Sequence, residues 1–275
     1  MIKVALTHDV DRVQKTFQYL TYPIKNIIKG DYKGFLYQIS SIFKKNPYWC
    51  FNEIINIENE YDVKSTFYFL NETIPFQLFN ILNWKLSLGR YKVKNKKVMD
   101  IINYLDQNGW EIGLHGSYNS FKDANLLLSE KKLLESIVGH NILGIRQHYL
   151  NLDQSTWKIQ KELGFKYDTS FGFTNNIGYK DNQLLPFYPF NDYFTIFPMV
   201  IMDECFMNTS NKIEKLSYLL DITENNNSIL VINWHQRSFN ENEFPGYKKT
   251  YCDIIEECKK RNAIFKTLRD YYSEG

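Results

Sequence analysis

Short runs rich in β-branched and aromatic residues recur along this chain, separated by stretches with helical patterning, and that alternation limits the fold more than any other feature. The strand candidates are IKVALTHD (2 to 9), KSTFYFLN (64 to 71), EIGLHG (111 to 116), ILGIRQHYL (142 to 150), YDTSFG (167 to 172), TIFPMVIMD (195 to 203), SILVINWH (228 to 235) and AIFKTL (263 to 268). Between them lie amphipathic stretches such as KVMDIINYLDQNG, SEKKLLESIVGH, STWKIQKELG, NKIEKLSYLLDITENN and YKKTYCDIIEECKKRN, several ending in Gly or Asn as helix C-termini do. Alternating strands and helices in one continuous chain build a parallel sheet with crossover helices, and about eight such units make a closed β/α barrel. An open doubly wound sheet is the other solution, but no G-x-G-x-x-G follows the first strand to favour a dinucleotide fold. No internal repeat, low-complexity tract or Pro/Gly/Ser-rich linker divides the chain, so one α/β domain over 1–275 is expected. Segment 12 to 60 is too long for one crossover and is read as inserted helices over one rim. The aromatic segment 71 to 97 is read as a second decoration near that rim.

Thirty-three basic residues stand against 31 acidic ones, a net charge of +2, too weak a field to imply nucleic acid or an anionic membrane as a partner. The start MIKVALTHD enters a strand pattern at once, without the features of a secretory signal, and no run is long and apolar enough to span a bilayer. The expectation is a cytoplasmic protein. Cys50, Cys205, Cys252 and Cys258 lack C-x-x-C spacing, which suggests neither a disulfide framework nor a thiolate zinc site. Twenty Tyr, 20 Phe and 5 Trp are compatible with a carbohydrate groove, since flat rings stack on sugar faces, but core packing is the commoner reason for such rings.

The informative pattern is where ionisable residues fall. The first strand ends in Asp9 and Asp11, the third candidate delivers His115, the fourth carries Arg146 and His148, and later runs deliver Asp168, Asp203 and His235. Nearly every strand hands over a titratable group at its C-terminal end, the end at which β/α barrels build active sites. Residues two apart share a strand face, so Asp9 groups with Asp11 and Arg146 with His148, while His8 points to the opposite face and packs under a helix. Asp168 also reads as an ordinary turn or N-cap residue, and His140, after a helix, as a solvated one. Carboxylate and imidazole ligands together suit zinc or another borderline divalent ion. The chemistry such a set serves is metal-assisted hydrolysis of an amide or ester: one carboxylate takes a proton from the attacking water, and a histidine protonates the leaving amine. Arg146 can hold the base ionised, and another carboxylate can orient the acid histidine.

These motifs resemble the polysaccharide deacetylase family, the NodB-homology domain or carbohydrate esterase family 4, in the same order along most of the chain. "THDVD" resembles its first motif in a divergent D-x-D form, "STFYFLN" the strand that follows, "EIGLHGSYNS" the H-[ST]-x-x-H motif, "GIRQHYL" the R-x-P-[YW] motif and "ILVINWHQR" the closing L-x-x-H motif. The resemblance implies a distorted β/α barrel, Asp9 as general base, Asp11 and His115 as metal ligands, Arg146 as partner of the base and His235 as general acid. The family's second metal histidine falls at position 119, where this chain has Asn119, a weaker zinc ligand than imidazole. His148 stands where the family has proline, and by strand alternation it can supply the missing imidazole. The family's aspartate that orients the acid histidine has no recognisable motif here. Asp203 is the better candidate than Asp168, because its strand immediately precedes the one bearing His235. The implied cofactor is a divalent metal, zinc first, with cobalt, manganese or nickel as alternatives. The implied activity is removal of an N-acetyl group from an amino sugar, here a glycan precursor of capsule or O-antigen synthesis. Two further readings stay open: an amidase acting on a non-sugar amide or cyclic imide, and a catalytically lapsed carbohydrate-binding or interaction protein.

Overall fold

The computed structural model describes residues 1–43 and 46–274. Nine strands form one sheet: β1 (Lys3–Val10), β2 (Thr66–Leu70), β3 (Glu111–Gly116), β4 (Gly144–Gln147), β5 (Tyr167–Asp168), β6 (Thr195–Ile196), β7 (Met199–Met202), β8 (Ile229–Asn233) and β9 (Ile264–Phe265). Among the described residues eleven α-helices accompany them: α1 (Gln18–Ile28), α2 (Tyr32–Ser40), α3 (Phe51–Glu60), α4 (Ile81–Ser87), α5 (Lys96–Gln107), α6 (Ala124–Val138), α7 (Thr156–Glu162), α8 (Asp203–Met207), α9 (Lys212–Asn225), α10 (Tyr247–Lys260) and α11 (Leu268–Glu274). The sheet order is β6-β5-β4-β3-β2-β1-β8-β7, every pairing is parallel, and β9 joins β1 at its start. The two ends of that path, β6 and β7, are separated along the chain only by Phe197 and Pro198. The sheet therefore curls into a distorted barrel, as the resemblance implies, and not into the regular closed barrel that the alternation alone suggests.

Run 195 to 203 differs from the single strand expected there. Its first half pairs with β5 and its second with β8. Proline has no amide hydrogen to donate to a ladder, so Pro198 sits where the chain changes partners. The run after Tyr167 likewise leaves the ladder at Asp168, with one further bridge from Gly172 to Met199. Of 263 to 268 only Ile264–Phe265 pairs, and the chain then enters α11.

Strand alternation divides the core in two. On β1, Val4, Leu6 and Val10 pack outward with Phe67, Phe69, Ile112, Leu114, Leu230 and Ile232 against the helices. Ala5 points inward with Tyr68, Tyr167, Met199 and Val231. Leu268 and Tyr271 of α11 join that inner cluster from below, and the Tyr271 hydroxyl donates to the Ile264 carbonyl at 2.7 Å and accepts from the Val4 amide at 3.1 Å, so the last helix packs across the N-terminal end of the barrel. A groove of about 640 Å³ runs beside that helix, lined by Lys3, Thr195, Ile229 and Tyr271, but ionisable residues at the strand ends line a different cleft at the opposite end.

The described residues of segment 12 to 60 carry three helices and a 3-10 turn, as expected of inserted helices, but α3 is not part of an insertion. It is the crossover helix between β1 and β2, burying Phe51, Ile54 and Ile57 on the outer face of the sheet. A parallel pair requires such a crossover. The extra material is the α1–α2 hairpin and the short 3-10 turn Ser41–Phe43. His8 faces α3, as its strand phase predicts, with Nε2 2.8 Å from Glu58 Oε1 and Nδ1 2.6 Å from the Trp234 carbonyl.

Candidate active site

The inward phase of β1 carries Ala5, Thr7 and Asp9, and parallel register lines up the neighbouring strands with it. Asp9 pairs with Tyr68, Tyr68 with Gly113, and His115 with Arg146. Six residues from β1, β3, β4 and β8 and the turns after them thus meet above the apolar interior, at the C-terminal ends. They line a cleft of about 270 Å³ whose walls include Asp9, Asp11, His115, His148, His235 and Arg237.

Arg146 is fully buried beneath this cleft. Its Nη1 donates to Asp9 Oδ1 at 2.9 Å and Thr7 Oγ1 at 2.8 Å, its Nε donates to the Thr169 carbonyl at 3.2 Å, and the guanidinium carbon lies 4.7 Å from the Tyr68 ring centroid. The other Asp9 oxygen accepts from Asn233 Nδ2 at 2.7 Å. Burial pushes the Asp9 carboxyl up, yet Arg146 and then His115 and His235 outweigh it, and the pKa lies below the ordinary carboxylate value. Asp9 is therefore an ionised carboxylate with a fixed orientation.

Asp11, one step beyond β1, faces a different set. Its Oδ2 accepts from Arg237 Nη1 at 2.6 Å, while its Oδ1 is buried without a hydrogen bond. His115 Nε2 stands 3.3 Å and His148 Nε2 3.7 Å from that orphaned oxygen. His115 Nδ1 lies 2.8 Å from the Arg146 carbonyl, which can only accept, so in the neutral ring Nδ1 carries the proton and the Nε2 lone pair points at Asp11. Burial depresses His148 to about 3, so it is neutral at ordinary pH. Burial also pulls His115 down, but Asp9 and Asp11 more than reverse this and raise it. The two carboxylates thus call for positive charge between the rings, which either a proton or a cation supplies. The ligand atoms of Asp11, His115 and His148 lie within 4.8 Å of one another. Separations of 3.3 and 3.7 Å bracket the roughly 3.4 Å between tetrahedral ligands each about 2.1 Å from one ion. This donor set, with its orphaned oxygen, fits a zinc-like divalent ion.

Asn119 takes no part in this cluster. It is exposed, it precedes the 3-10 turn Ser120–Lys122, and it does not line the cleft. The imidazole opposite His115 comes instead from His148, at the head of the turn His148–Leu150 that follows β4. Tyr149 and Leu150 in that turn both adopt left-handed backbone (φ 59° and 53°), unusual for residues with bulky side chains. All three residues of the turn, His148, Tyr149 and Leu150, line the cleft.

On the other side, His235 Nδ1 is 2.8 Å from Asp203 Oδ1, whose second oxygen accepts from the His235 amide at 2.9 Å and from Ser238 Oγ at 2.6 Å. Burial opposes the charged ring, but Asp203 overrides it and His235 is raised to about 9. The Nε2 end lies 3.7 Å from Asp11 Oδ2. Asp168 is elsewhere: it accepts from the Ser170 amide and hydroxyl and from Gln160 Nε2, and it holds a turn. His140 is exposed and pairs with Asp106.

The sequence reading missed two partners. Arg237 carries no periodic signal because it lies in the turn after β8, although its place two residues beyond His235 was a usable hint. Asn233 reads as a neutral strand residue, and only the register Thr7↔Asn233 reveals that it faces Asp9.

No protein-family model matches the sequence, and no curated protein matches it. Solved structures do match. One from Pseudomonas aeruginosa PAO1, named a probable polysaccharide deacetylase, superposes with a TM-score of 0.62 at 13% identity over 99% of this chain and 90% of that one. Another polysaccharide deacetylase by name, from Mycobacterium smegmatis, gives 0.53 at 16% identity over 97% and 93%. A family 4 carbohydrate esterase from Bacillus anthracis gives 0.50 at 12% identity over 99% and 83%. The likeness is one of fold, over nearly the whole chain, and it matches the NodB-type barrel that the motifs imply.

Proposed function

We propose that this chain, which shares its fold with the polysaccharide deacetylases, is a metal-dependent hydrolase that removes the N-acetyl group from an amino sugar. The observation that carries the reading is one arrangement: a base held by Arg146 and an acid held by Asp203 flank the Asp11, His115 and His148 cluster in a single cleft. A divalent ion held by those three side chains would polarise the amide carbonyl and acidify water beside it. Asp9, kept ionised by Arg146, accepts the proton of the attacking water. His235 is protonated at neutral pH, and with Nδ1–H directed to Asp203 its Nε2–H faces the cleft and donates to the leaving amine nitrogen as the C–N bond breaks. Acetate and a free amino sugar are the products. Asp203 is a positioning residue, and Arg237 holds the second oxygen of Asp11. The substrate we favour is a precursor glycan of cell-surface polysaccharide synthesis.

The test is acetate release from N-acetylated amino sugars by protein loaded with Zn²⁺, Co²⁺ or Mn²⁺ in turn. Release that disappears in Asp9→Asn and His235→Ala is the expected result. Folded protein that releases no acetate with any metal overturns the assignment.

A further inference from the structure

A helix packed on the body of a protein ordinarily turns its apolar stripe inward. The α1–α2 hairpin does the reverse. On α1, Leu20, Ile24, Ile27 and Ile28 form one stripe at i, i+4, i+7 and i+8, and all four are exposed, Ile28 to 79%. On α2, Tyr32, Leu36 and Ile39 repeat the pattern outward, and Phe43 in the next turn is 88% exposed. The inward side is polar. Gln18, Gln38 and Ser41 are buried, and the ammonium of Lys15 bonds Gln38, Ser41 and Glu243 while lying within 6 Å of the Tyr19, Tyr22 and Tyr37 ring centres. That polar core fixes the hairpin with its apolar side out.

Between Leu20 and Phe43 the chain carries Lys25, Lys29 and Lys33, all exposed, against one acid, Asp31. A second apolar outcrop, Phe76, Leu78 and the 97% exposed Phe79, precedes α4. The segments that carry the two outcrops are joined where Arg12, ahead of α1, donates to the Lys85 carbonyl in α4 at 2.6 Å and Thr16 to the Leu88 carbonyl just after it at 2.8 Å. Arg12 and Lys85 also line the cleft.

We propose that this apolar, lysine-studded rim docks on the surface of an anionic lipid bilayer and sets the mouth of the cleft against it. Aliphatic and aromatic side chains on one face, with lysines among them, are the composition of helices that lie in the headgroup region. A symmetric dimer through the same face would instead bring the lysines of two copies together. Among the described residues no helix is long and apolar enough to cross a membrane, so the contact lies on the surface. If the deacetylase reading holds, on which this consequence rests, the acetylated sugar is one borne on a lipid anchor.

Sedimentation of the full chain with vesicles of phosphatidylcholine alone, or with phosphatidylglycerol added, tests the docking. The expected result is binding to the anionic vesicles, weakened by salt and abolished in L20S/I24S/I28S. Lys25→Gln and Lys29→Gln are each expected to weaken it roughly fivefold. The substituted positions are exposed, so unchanged thermal melting checks the fold. Wild-type protein left in the supernatant with both vesicle types overturns the proposal, as does a dimer in solution that the triple variant converts to monomer. Acetate release from a water-soluble N-acetyl amino sugar, unaltered in the triple variant, is read separately. Docking can therefore fail while the deacetylase assignment stands, and the converse.

Discussion

Asp11 Oδ1 is a buried carboxylate oxygen with no hydrogen bond and two imidazole nitrogens within 4 Å, an arrangement costly to keep unless a cation answers it. Two predictions follow from that atom's surroundings. Replacing His148 by Ala is expected to weaken Zn²⁺ binding in equilibrium dialysis by more than the roughly 10–100-fold that loss of an outer partner brings, while Asn119→Ala leaves affinity unchanged. The reverse order would return the ligand role to position 119. The second prediction concerns His235. Its pKa is raised to about 9 by Asp203, so the pair's contribution to stability is complete below the unfolded value of about 6.5 and is lost as pH rises through about 9. Imidazole resonances of metal-free protein titrating near 9, and moving toward 6.5 in Asp203→Asn, would bear this out. The alkaline limb of kcat/KM is expected to move to lower pH in the same variant. A wild-type value near 6.5 would remove Asp203 from its positioning role.

The longer strands were readable from their runs of β-branched and aromatic residues, and two-residue spacing put Asp9 with Asp11 and Arg146 with His148 on shared faces, but which face points inward came only with the register. The ladders of two residues in β5, β6 and β9 left no such period, and run 195 to 203 looked like one strand because Pro198 is flanked by apolar residues on both sides. The α1–α2 hairpin was legible as helix but not in its orientation: its apolar stripe would ordinarily predict burial, and only the polar core around Lys15 turns it outward. A prediction also belongs to β3. A Cβ on Gly113 would stand 2.4 Å from the Tyr68 ring, which underlies Arg146. Gly113→Ala is expected to cost about 1–3 kcal/mol by overpacking, read as a lower urea midpoint, and to lower activity by displacing the arginine. A neutral effect on both would mean that Tyr68 moves aside freely.

The barrel as a whole is tied across its interior by Arg146 on β4 and Asp9 on β1, strands separated in the sheet by β2 and β3. Arg146→Met leaves the buried Asp9 carboxylate without its cation, and a loss of about 3–5 kcal/mol is expected at neutral pH. Because Arg146 lowers the Asp9 pKa, the pair stabilises above the ordinary carboxylate value of about 3.9 and fades as pH falls below it. The difference between variant and wild type in urea unfolding should therefore shrink in acid; a gap independent of pH would point to lost packing alone. What the amino-acid sequence determined by itself was the alternation of strands and helices, the shared face of residues two apart on a strand and the delivery of ionisable groups to one end, since these depend on local period and chain order. Tertiary structure decided between His148, which strand alternation offered, and Asn119, which the motif position offered, and it alone showed that Arg237 and Asn233 hold the two acids and that a helical hairpin faces outward with its apolar side. Each of these depends on which side chains from distant parts of the chain come within a few ångströms of one another, and no local pattern encodes that.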